Sequence, residues 1–92
     1  MDRQRIEAAI RDIATSPKNV HFDDLVNLLD NHIKHLFPGY NHHGNPHHAF
    51  TVAGQTFNIA KPHGQGKVKS VYVRNFLAAM EAAGLYSPEE KK

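Results

Sequence analysis

The chain has 92 residues, 40% of them hydrophobic, and a formal charge of +2 from 11 Lys+Arg against 9 Asp+Glu. That is enough for a single domain over residues 1–92 with a modest core. It contains no cysteine, which excludes a disulfide framework, a thiolate metal site and a cysteine nucleophile, and no apolar run approaches a membrane span.

Residues 2–14 read as an amphipathic helix, with Ile6, Ile10 and Ile13 and also Ala9 on one stripe. Thr15 to Asn19 breaks it. Residues 22–36 read as a second helix, with Asp23 and Asp24 in its first turn, where the helix dipole favours carboxylates. Its buried stripe is Phe22, Leu25, Val26, Leu29, Ile33 and Leu36, and Pro38-Gly39 ends it. His32 and His35 are helix neighbours, and a metal pair there competes with two solvated surface histidines. Tyr40 to His43 reads as a short first strand, and Gly44-Asn45-Pro46 as a turn.

The next stretch organises the chain. Residues 47–53 and 56–61 alternate in a period of two, with Phe50 and Val52 answered by Phe57 and Ile59. Gly54-Gln55 suits a two-residue hairpin turn. That turn sets Phe50 against Ile59 and His48 against Lys61. It puts Phe50, Val52, Phe57 and Ile59 on the core face, with His48 on the same side. His47, Ala49 and Thr51 then face outward, so His47 is presented from a rigid strand as a working side chain. His63-Gly64-Gln65-Gly66 is a glycine-containing loop, open to a phosphate or simply a flexible connection. Residues 70–83 form the last helix, with core residues Val73, Phe76, Leu77 and Met80 and a stop at Gly84. Ser87 to Lys92 reads as a frayed tail. The order is that of an α+β domain. An antiparallel sheet of about three strands carries helices on one face in an α-β-β-β-α core resembling the double-stranded-RNA-binding fold, with an extra N-terminal helix at the side.

Charge is unevenly placed. Residues 31–80 hold no Asp or Glu but do hold Lys34, Lys61, Lys67, Lys69, Arg74 and seven of the eight histidines. This positive stretch favours an anionic partner, nucleic acid being the common one. A solvated basic surface without a ligand has the same composition. The N-terminal Met1-Asp2-Arg3-Gln4-Arg5 leads into a charged amphipathic segment and not into an apolar signal core, which fits a cytoplasmic protein.

Three chemistries suit these residues. The first is acid–base cleavage of RNA. Histidine titrates near neutrality, so His47 can serve as base or acid, with His63 or His48 as the second group and Lys61, Lys67, Lys69 and Arg74 holding phosphates. The second is metal binding by His42, His43, His47 and His48. No carboxylate lies nearby in sequence and the spacing matches no established zinc pattern, so the expectation is no metal and no cofactor. The third is RNA binding without catalysis, through phosphate contacts that are salt-dependent and weakly sequence-specific.

The run His47-His48-Ala49-Phe50 resembles the Gly-Ser-His-His-x-Phe motif of HicA-type mRNA interferase toxins. Ile59-Ala60-Lys61-Pro62-His63 resembles the family's apolar strand closing on Pro-His. Lys69 to Leu77 is similar to its final helix, Ala82-Ala83-Gly84-Leu85 to that helix's end, and Asn19 to Leu25 to the start of the preceding helix. The similarity spans roughly residues 17–86. It implies a metal-independent endoribonuclease that cleaves mRNA and inhibits translation, monomeric when free and neutralised by a HicB-type antitoxin. The family's catalytic histidine maps onto His47. The family's Gly-Ser is here Asn45-Pro46, which removes a hydroxyl and a backbone N–H from the approach to His47. A catalytically weak or inactive RNA-binding domain of the same fold is the alternative that this departure leaves.

Overall fold

The computed structural model describes residues 2–45, 47–64 and 66–88. Its elements are α1 (Arg3–Thr15), α2 (Phe22–Asn31), a 3₁₀ turn (Ile33–Leu36), β1 (Asn41–His43), β2 (His47–Val52), β3 (Gln55–Ala60) and α3 (Ser70–Ala82). The three strands make one antiparallel sheet in the order β1-β2-β3. The domain is α+β, with an α-β-β-β-α core and one helix more at its N-terminal side.

α1 is capped by Asp2, whose carboxylate accepts from the backbone N–H of Arg5 at 2.9 Å. Ile6 and Ile10 are fully buried on its inner face. The helix packs on α3, and the Arg3 guanidinium donates to the carbonyl of Gly84 at 3.1 Å. α3 packs on β3, where Phe57 meets Phe76 edge-on with ring centroids 6.1 Å apart. α3 ends in a Schellman arrangement. Gly84 has φ +82°, its N–H reaches the carbonyl of Glu81, and the N–H of Leu85 reaches that of Met80.

The second helix departs from its expected extent of 22–36. It stops at Asn31, His32 leaves helical geometry (φ −128°, ψ −58°), and the chain tightens into the 3₁₀ turn. The tighter winding gives the terminal carbonyls of His32 and Lys34 i+3 partners in the N–H groups of His35 and Phe37. It still buries Ile33 completely. It also brings Tyr40 back over the end of α2, where its hydroxyl donates to Asp30 at 2.6 Å.

The hairpin turn is also one residue earlier than expected. Ala53 and Gly54 form the loop, both with positive φ (+52° and +81°), and Val52 pairs with Gln55. Positive φ at both central residues is the primed-turn geometry that matches strand twist. Phe50 therefore opposes Phe57 and His48 opposes Ile59, in place of the Phe50–Ile59 and His48–Lys61 pairs expected from a Gly54-Gln55 turn. Moving a turn by one residue shifts partners by two, so no side chain changes face. Phe50, Val52, Phe57 and Ile59 all lie buried on the core face. The expected tail over 87–92 lies outside the described residues from 89 onward, as does Gln65 of the glycine loop.

Candidate functional site

The sheet has one face covered by helices and one open. Across the open face run Asn41–Thr51–Thr56 and His43–Ala49–Asn58, with His47 beside Ala60 at one end. The row at the turn end is tied by a 3.1 Å hydrogen bond between the hydroxyls of Thr51 and Thr56. These side chains are short or of middle length and carry no fixed charge. The result is a surface of low relief with His47 exposed near its edge.

The turn that delivers His47 depends on Gly44. Its φ is +99°, and a Cβ there would overlap the backbone carbonyl oxygen of His47. Pro46, where the chain departs from Gly-Ser, lies outside the described residues. Among the described residues His47 makes no side-chain hydrogen bond.

His48 has a different environment. Its ring sits on the core side, 5.2 Å between centroids from Phe22 of α2 and 6.5 Å from Phe50. Its Nδ1 lies 2.9 Å from His42 Nε2. His42 Nδ1 in turn lies 2.9 and 3.0 Å from the two oxygens of Asp30. A carboxylate only accepts, so His42 Nδ1 carries its proton toward Asp30. His42 is also stacked on Phe50 at 4.1 Å. Tyr40, Asp30, His42 and His48 thus form one continuous hydrogen-bonded chain from α2 through β1 to β2. Its last atom, His48 Nε2, is buried and has no hydrogen-bond partner among the described residues.

Electrostatics follow from these contacts. Burial, then His42 and Lys61, push the His48 imidazole below the usual histidine range, with Asp30 pulling weakly the other way. Burial, and the hydrogen bond and charge of Asp30, push the Tyr40 phenol far above its ordinary value. Asp30 stands at the C-terminal end of α2, where the helix dipole disfavours a carboxylate. The Tyr40 hydroxyl and the His42 N–H stabilise it there.

The remaining sequence-derived candidates are spread out. Lys61 is exposed just beyond β3, next to Ala60, which pairs with His47. It lies beyond the paired strand rather than opposite His48. His63 is exposed in the bend that follows. Lys67 sits in the isolated bridge to His21 and its ammonium donates to Asn19 at 3.2 Å. Lys69 precedes α3 and Arg74 rides on it. Since α3 covers the core face, Arg74 does not share the open face with His47. The four histidines of the 42–48 cluster do not converge. His42 and His48 point to the core side, His43 and His47 to the open side. Among the described residues no three His, Cys, Asp or Glu side chains are grouped as metal ligands.

The chain of Asp30, His42 and His48 is not visible in sequence. Its links span 12 and 6 residues, and the carboxylate comes from a helix end. The available signal is Asp30 itself, the last carboxylate before the acid-free stretch, set where a helix ordinarily avoids one. Among the described residues no helix is long and apolar enough to cross a membrane. No protein-family model matches this chain, and neither a curated protein nor a solved structure matches it.

Proposed function

We propose that this chain is a HicA-like toxin, a metal-independent endoribonuclease that cleaves mRNA through histidine acid–base chemistry. The observation that carries the reading is His47, exposed near the edge of an uncovered sheet face and paired across the ladder with Ala60, the residue before Lys61. In this chemistry a base takes the proton of a ribose 2′-hydroxyl and the oxygen attacks the adjacent phosphorus. The P–O5′ bond breaks, an acid protonates the departing 5′-oxygen, and a 2′,3′-cyclic phosphate remains. His47 supplies one of the two proton transfers and Lys61 steadies the phosphate charge.

His48 cannot supply the other transfer to the same phosphodiester, because consecutive strand residues project to opposite faces. His63, beyond Lys61, is the candidate that remains. The open face is also the surface that a HicB-type antitoxin would cover to block the reaction, and the cytoplasm, where mRNA is found, is the compartment this reading requires.

A second reading is favoured by a specific observation. His47 lacks any orienting side-chain hydrogen bond among the described residues, and catalytic histidines are ordinarily held by one. In that reading the domain binds RNA without cleaving it.

The test compares wild type and His47→Ala on one mRNA, with and without EDTA. Cleavage that survives EDTA and is lost in the variant supports the nuclease. RNA retention without cleavage by either protein supports the binding domain.

A further inference from the structure

We propose that Asp30, His42 and His48 form an acid-sensitive latch that fastens the sheet to α2 and opens when the histidine pair takes up a second proton. The number of protons on a single hydrogen bond decides whether it holds.

With both rings neutral, His42 holds its proton on Nδ1 against Asp30 and offers a lone pair at Nε2. His48 Nδ1–H donates to that lone pair across 2.9 Å. One added proton leaves the bridge intact. If His42 carries it, Nε2–H donates to His48 Nδ1, whose own proton has then moved to Nε2, and the imidazolium faces the Asp30 carboxylate. If it settles on His48, the original donor stays in place. A second added proton puts N–H groups on both sides of the same gap. The bond is then lost and two cations face each other.

The surroundings oppose that second charge. Asp30 of α2 can compensate one cation only. Its Tyr40 neighbour is a neutral donor, Lys61 beyond β3 adds positive charge, and Phe22 of α2 and Phe50 of β2 offer no acceptor. His48 Nε2 is buried without a partner among the described residues, so the proton that enters there finds no hydrogen bond to replace its water.

The elements joined are consequential. The latch is a side-chain link between α2 and the strands β1 and β2, and His48 adjoins His47 in the chain. Opening it frees the start of β2 from the helix layer and shifts the strand that presents His47. The latch belongs to the fold itself and holds whether or not the domain cleaves RNA.

The test uses the full chain at pH 8 to 5. Histidine ring nitrogens and backbone amides are followed by NMR, and unfolding by urea is measured at the same pH values. In wild type the ring nitrogens of His42 and His48 are expected to respond jointly in two steps, and the amides of His42, His48 and Ala49 to move with the second. The unfolding equilibrium constant is expected to rise on the order of tenfold as pH falls from above 6.5 to 5.

In His48→Asn the amide occupies the place of Nδ1 and keeps a partner for His42 without titrating, so the rise flattens. His47→Asn keeps the wild-type profile. Independent titration of His42 and His48 with unmoved neighbouring amides overturns the latch, and so does an unchanged pH profile in His48→Asn. The ring nitrogens are read on wild type, so the latch can be overturned even where the variant fails to fold.

Discussion

His47 and His48 are neighbours in the chain and strangers in the fold: the first is exposed on the open face of β2, and the second is bonded to His42 at 2.9 Å on the core side. Truncating them therefore has different costs. His47→Ala removes an exposed side chain and is expected to change stability by no more than about 0.5 kcal/mol. His48→Ala strands His42 Nε2 and empties the space against Phe22, for an expected loss of about 1–3 kcal/mol. Urea unfolding of both variants at pH 7.5 checks the contrast. Equal losses would show that the two rings share one environment.

Ala53 sits at φ +52° in the hairpin turn, a conformation that L side chains with a Cβ disfavour. Ala53→Gly or Ala53→Asn is expected to stabilise the domain by about 1 kcal/mol, Asn-Gly being the favoured pair for such a turn. For a domain of this size that corresponds to a rise in Tm of roughly 4–8 °C. A thermal melt with no rise would place the turn elsewhere.

The glycines of the sheet differ in what an added methyl meets. At Gly44 a Cβ would overlap the carbonyl of His47, whereas at Gly54 it would meet open space, although both have positive φ. Gly54→Ala is expected to cost about 1 kcal/mol for the backbone conformation alone. Gly44→Ala is expected to cost more, about 2–4 kcal/mol, because conformational strain and overlap add. It should also shift the amide resonances of His47 and His48, which Gly54→Ala leaves in place.

Tyr40 gives the fold an alkaline limit. Its phenol titrates far above the ordinary value because it is partly buried and because its hydroxyl donates to the Asp30 carboxylate. The unfolded chain releases that proton near pH 10 and the folded chain holds it, so the stability contributed by Tyr40 is present below pH 10 and declines as pH rises beyond it. Tyr40→Phe is expected to be less stable at pH 8 and to lose less between pH 9 and 11. Urea midpoints across that range measure it. Asp30→Asn removes the carboxylate and brings the phenol titration down, which absorbance at alkaline pH would follow.

The face of each strand residue is legible from period-two alternation between Phe50 and Ile59, and it survives a displaced turn because the partner shift is an even number of residues. The turn lies earlier than its glycine suggests because Ala53, a residue with no turn preference of its own, accepts the strained position ahead of Gly54. The end of α2 is hidden in sequence because Ile33 and Leu36 continue the helical stripe. A 3₁₀ turn buries Ile33 as well and leaves Leu36 packed on the core edge. The Asp30–His42–His48 contacts belong to tertiary structure. They depend on the crossing of β1 over the end of α2, which no local pattern encodes.

The link between Arg3 and Gly84 has a further consequence. It clasps the start of the first helix to the residue that ends the last one, and that last helix packs on β3. The described chain is thus nearly a closed ring. A short linker joining the segment after Leu85 to Asp2 would cross little space, and new ends opened between α1 and α2 would leave the histidine face untouched. Such a permuted chain would separate the order in which the elements are connected from the way they pack.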